Sequence, residues 1–131
     1  MRWSFAILFA LVYLAAEAPA DEAAVSKFIE DVGGRITRDV KQPGKPVISV
    51  YLAGTPVTDA DLAKLKELKK LTTLELTFTQ VSDLGLKELK ELKQLKHLDL
   101  RVTKVTDAGL KRLHEALPKC VIFPGFEGAA K

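Results

Sequence analysis

Hydrophobic and polar positions along this chain follow two periods in turn. LTTLEL (71–76) and LKHLDL (95–100) end in strict alternation of apolar and polar residues, which suits a strand with one buried face. Beyond each such segment the period lengthens. Leu62, Leu65 and Leu68 recur every three residues, as do Leu86, Leu89 and Leu92, and each set lays an apolar stripe along one side of a helix. The pattern predicts strand, turn and helix, repeated.

The repeat has a fixed length. VTDADL (57–62) returns as VSDLGL (81–86) and VTDAGL (105–110), 24 residues further on each time. The register extends to Val47, Leu71, Leu95; to Val50, Leu74, Leu98; to Leu52, Leu76, Leu100; to Thr55, Thr79, Thr103; to Leu62, Leu86, Leu110; and to Leu65, Leu89, Leu113. A period of this size marks a solenoid, whose units are each too small to bury an apolar face alone and must stack on their neighbours. The VTDADL box falls at the strand-to-helix junction. Thr58, Ser82 and Thr106 can cap the helix with a hydroxyl, and Asp59, Asp83 and Asp107 favour its positive end. That chemistry makes the box a helix-start and packing device rather than an active-site motif.

The pattern L-x-x-L-x-L-x-x-T-x-V followed by T-D-A-G-L-x-x-L resembles leucine-rich repeats, with Thr where many members carry Asn or Cys. It is similar to short bacterial leucine-rich repeat proteins built on VTDAGL units, and to the cysteine-containing repeat class found behind F-box domains. The resemblance covers about residues 47 to 123. It implies an α/β fold: a short solenoid with a parallel sheet on the concave face, helices on the convex face, and protein binding as its role. No F-box-like pattern precedes the repeats, so the ubiquitin-ligase role of those relatives is not carried over.

The ends of the sequence are different material. Residues 1–20, MRWSFAILFALVYLAAEAPA, start with Arg2, run apolar from Trp3 to Ala16, and finish in a small-x-small site at Ala18-Pro19-Ala20. This run of 14 residues, apolar apart from Ser4, falls short of the roughly 17 to 25 that span a bilayer. The expectation is a signal peptide cut before Asp21 and export to the periplasm or medium, the alternative being an uncleaved membrane anchor. In residues 21–131, the segment 21–46 is expected to cap the stack. DEAAVSKFIEDVGG forms its helix, and RITRDV and PVISVYL form a hairpin around the KQPGK turn. Residues 47–118 make three repeats, and 119–131 a closing strand and tail. Cys120, the only cysteine, is expected as a small, partly buried residue at the end of the stack, with an intermolecular disulfide as the alternative.

Charge changes this picture little. Twenty Lys and Arg stand against 17 Asp and Glu, and segments such as KLKELKK interleave the signs, as solvated helix faces do. Mixed signs without interspersed aromatics argue against nucleic acid. A polyanion-binding stripe through Lys64, Lys87 and Lys111 is the second reading of the helical face.

Strand alternation points three rows away from the core: Ser49, Thr73, His97, Val121; Tyr51, Glu75, Asp99, Phe123; and Ala53, Thr77, Arg101. From these, Tyr51, Glu75, His97, Asp99, Arg101 and Phe123 are the candidate partner-binding residues. Glu75 and Asp99 are expected side by side, so their like charges require an offset from Arg101, His97 or a basic group on a partner. Four short strands give a patch on the order of 300 Å² against the ~800 Å² of a standard interface. Loops and helices must therefore contribute, or the chain self-associates, or its ligand is small. Glu75, His97 and Asp99 have no further metal ligand, nucleophile or deep pocket beside them, so no catalytic, metal or cofactor site is assigned.

Overall fold

The alternating segments become one sheet. The computed structural model describes residues 20–124; the expected signal peptide, apart from Ala20, and the Gly-rich tail lie outside the described residues. Strands β2 (Val47–Tyr51), β3 (Thr73–Glu75), β4 (His97–Asp99) and β5 (Val121–Phe123) run parallel in chain order, while β1 (Arg35–Arg38) pairs with β2 in the antiparallel sense. Register follows the 24-residue step: Ser49, Thr73, His97 and Val121 are successive neighbours, as are Tyr51, Glu75, Asp99 and Phe123.

Helical segments connect the parallel strands. They are a 3-10 helix (Asp59–Glu67), α2 (Asp83–Leu89) and α3 (Asp107–Ala116); α1 (Ala20–Asp31) precedes the sheet. The first connection departs from the expected α-helix. Leu62, Leu65 and Leu68 recur at the period of a 3-10 helix itself, where residues three apart eclipse one another, and all three are buried. Leu86 and Leu89 have the same spacing inside a short α-helix, and Leu92 is buried just beyond its end.

Stacking buries the apolar rows. Val50, Leu74 and Leu98, together with Leu52, Leu76 and Leu100, are fully inside, and the core continues through Leu62, Leu65, Leu86, Leu89 and Leu113. Each such leucine contributes ~1.5 to 3 kcal/mol relative to exposure. The threonine column has its own use. Thr55, Thr79 and Thr103 each donate a hydroxyl hydrogen bond of 2.7 Å to the carbonyl three residues back, at Leu52, Leu76 and Leu100. This fixes the turn that leaves each strand by satisfying a carbonyl locally, and at Leu52 the Thr55 amide donates to the same oxygen at 3.1 Å.

At the N-terminal edge, Val25 and Ile29 of α1 join the core, with Phe28 and Val32 packed against it. Glu22 is buried there, yet its carboxylate accepts from Arg38 at 2.9 Å and from the Val47 amide at 3.0 Å. A buried charge is tolerated when it is paired and hydrogen-bonded, and this one ties α1 to the β1–β2 hairpin. Among the described residues, no helix is long and apolar enough to cross a membrane.

Candidate functional site

The sheet rows carry the candidate residues. Tyr51, Glu75, Asp99 and Phe123 stand in one row across β2 to β5, His97 lies in the adjacent row, and Arg101 lies two residues beyond the end of β4. A shallow depression of about 170 Å³ is lined by Tyr51, Thr73, Glu75, His97, Asp99 and Phe123. All six sequence-derived residues are thus brought to one side of the sheet or its rim. Two neighbours from the same rows, Ser49 and Thr77, are buried rather than exposed. Ser49 is flanked on both sides, by Thr37 of β1 and Thr73 of β3. Thr77 follows β3, between Ala53 and Arg101 in the 24-residue register.

Electrostatics divide the two carboxylates. The Arg101 guanidinium holds both oxygens of Asp99, with Nη2 at 2.6 Å from Oδ2 and Nε at 3.0 Å from Oδ1. Partial burial disfavours the Asp99 charge, but this fork, the Arg101 backbone amide and the nearby Thr77 hydroxyl outweigh it, and the carboxyl is held below its ordinary range. No hydrogen bond of ordinary geometry reaches the Thr77 hydroxyl; it acts on Asp99 through proximity. Arg101 is correspondingly held more firmly protonated by Asp99. It also lies 5.8 Å over the Phe123 ring, as Arg35 does over Tyr51. The expected offset is therefore internal for Asp99. Glu75, half-buried beside it, has no ion pair among the described residues.

Two features escape a reading of the rows. The first lies in the boxes. Asp59 accepts from the Ser82 amide (2.7 Å), the Ser82 hydroxyl (2.6 Å) and the Gly85 amide (3.1 Å), all one repeat ahead. Asp83 repeats the grip on the amide and hydroxyl of Thr106. The aspartates of the first two boxes thus also hold the next helix start, a role added to the one expected from their place in the first turn of their own helices. Glycine follows from this: a Cβ at Gly85 would sit 2.5 Å from Asp59 Oδ1, and one at Gly109 2.1 Å from Asp83 Oδ1. The caps differ in detail too. Ser82 and Thr106 accept from the Leu84 and Gly109 amides, but the Thr58 side chain makes no such bond.

The second is a column of left-handed residues at the strand exits. Gly54, Phe78 and Val102 have φ of 69°, 58° and 56°. Glycine adopts this freely, whereas a β-branched residue such as valine is strained there. Phe78 and Val102 are both exposed, so two apolar side chains stand beside Arg101 at a conformational cost. Gly54 in the same register column was the available signal.

The geometry agrees with comparison to known families. Residues 67–90 and 93–113 each match the Leucine Rich repeat family. No curated protein matches the chain. The matched segments hold the second and third boxes, together with the aspartate and glycine that lock Asp83 to the third helix start. Repeats of this kind generally mediate protein–protein interaction and are typically non-enzymatic scaffolds. Family match, 24-residue strand register and interlocked boxes agree: this is a leucine-rich repeat protein.

Proposed function

We propose that this protein is an exported, non-enzymatic interaction module: a short solenoid of three repeats, capped by α1 and the β1–β2 hairpin, that takes a protein partner on its sheet face. The observation that carries this reading is Glu75, a half-buried carboxylate next to Asp99 with no ion pair among the described residues, while Arg101 is committed to Asp99. A lysine or arginine from a partner completes that row, between Tyr51 and Phe123. The sheet face alone is smaller than a standard interface, and exposed Phe78 and Val102 supply apolar surface at its rim. Binding to a cell-surface polyanion remains the second reading, but it needs Lys64, Lys87 and Lys111 free in one stripe. Lys64 instead bonds Asp61 at 3.0 Å and lies 3.8 Å over the Phe28 ring, which interrupts the stripe.

Export rests on the apolar segment before Asp21 and is checked by the N-terminal mass of the protein from its host; retention of Met1 in the membrane fraction overturns it. The binding face is tested by capture from the periplasm or medium with residues 21–131, followed by titration of the captured protein. Glu75→Gln is expected to weaken affinity about tenfold or more while leaving the melting midpoint unchanged or raised. Unchanged affinity removes Glu75 from the interface.

A further inference from the structure

The internal joints of this protein show what a repeat presents to its successor. At each, a box aspartate grips a Ser or Thr one unit ahead through both amide and hydroxyl, and the third residue after that Ser or Thr is a glycine packed against the carboxylate. Behind the polar grip, the apolar rows close completely: Leu62 and Leu86 are about 1 to 2% exposed, and Leu74 and Leu98 at most 1%.

The third box offers the same parts, without a partner for them among the described residues. Asp107 is exposed, and among the described residues its carboxylate has no hydrogen bond or ion pair. Leu110, the equivalent of Leu62 and Leu86, is only partly buried, and so is Ile122, the equivalent of Leu74 and Leu98. Between α3 and β5 these residues line a groove of about 500 Å³, with Cys120 on its floor and Lys111 and His114 on its wall. β5 is the last strand of the sheet, so its outer edge is unpaired among the described residues.

We propose that this C-terminal face is a docking site for a leucine-rich repeat unit of another polypeptide, one whose helix opens Ser/Thr-x-x-Gly. Asp107 takes the amide and hydroxyl of that Ser or Thr, the glycine gives the carboxylate room, and the partner's strand adds to β5. A second copy of this chain does not fit. Its first box carries Asp61 in place of the glycine, and Asp61 already accepts from the Thr58 amide (3.0 Å) and hydroxyl (3.2 Å). Its second and third boxes are covered by its own preceding units. The seat therefore selects a partner by the chemistry of its helix start.

The test uses the full chain and a fluorescein-labelled peptide of residues 95–118, which carries a strand, Thr106 and Gly109 in one unit. Anisotropy titration is expected to show saturable binding, weakened at least tenfold by Asp107→Asn in the protein and equally by Gly109→Ala in the peptide. Melting midpoints on the same samples confirm that Asp107→Asn is folded, and the peptide variant needs no change to the protein. Absence of binding, or binding indifferent to both substitutions, overturns the proposal. It is also overturned if only a chain ending at Pro124 binds the peptide, since residues 125–131 then hold the seat. Concentration-dependent self-association abolished by Asp107→Asn overturns it as well, because the occupant is then a second copy.

Discussion

Thr58 and Thr106 hold the same place in their boxes, yet their amides and hydroxyls find acceptors in opposite directions. Thr58 donates forward to Asp61, within its own turn; Thr106 donates back to Asp83, a whole repeat away. The apolar rows differ in the same sense. Leu62, beside α1 and α2, is about 1% exposed, while Leu110 at the other edge is half-covered. Near-identical local sequence therefore has different energetic weight at the two edges, because a repeat is completed by what stands next to it. At the N-terminal edge the chain supplies that neighbour from α1 and β1. Beyond β5, the described residues supply none.

The largest expected contrast comes from truncating one core row at two places. Leu74→Ala, fully enclosed between β2 and β4, is expected to cost ~2 to 5 kcal/mol, whereas Ile122→Ala, on the face that the described residues leave open, should cost ~1 kcal/mol, both by denaturant unfolding. Equal costs would mean that the C-terminal face is covered in solution. The aspartates sharpen the comparison at smaller scale. Asp59→Ala strands the amide and the hydroxyl of Ser82 one repeat ahead, the Gly85 amide keeping the Ser82 carbonyl, and is expected to cost ~1.5 to 3 kcal/mol, against less than ~0.5 kcal/mol for Asp107→Ala.

The smallest effect is a pH slope at the C-terminal edge. Burial pushes the Cys120 thiol up to about 11 from 9.0. A folded-state pKa above the unfolded one means the contribution to stability is complete below about pH 9 and disappears as pH rises towards 11. Wild type is therefore expected to lose more stability than Cys120→Ala between those values, measured as the change in melting midpoint. The same burial makes Cys120 a poor nucleophile, as expected for a packing residue.

Much of this architecture was legible in the chain. The 24-residue register fixed which residues are neighbours across β2 to β5, and helical spacing in α1 pointed Val25 and Ile29 inward. The candidate row Tyr51, Glu75, Asp99, Phe123 followed from alternation alone. Three-residue leucine spacing could not separate a 3-10 helix from an α-helix, since it serves both. Alternation also misplaced Ser49 and Thr77, because exposure on a sheet depends on the cover given by adjacent strands and loops.

Sequence by itself determined the repeat, its order and the apolar rows, since period and hydrophobicity are properties of a one-dimensional string. Only the tertiary structure decided what each box aspartate holds. Its acceptor oxygens meet donors 23 and 26 residues away, a distance at which no local propensity acts, and the adjacent glycine is needed only once the two units are in contact. The tertiary structure likewise decided that Arg101 pairs with Asp99 and that Glu75 has no ion pair among the described residues. Arg101 turns back onto its own strand end, and rotamer and reach, rather than register, set that pairing.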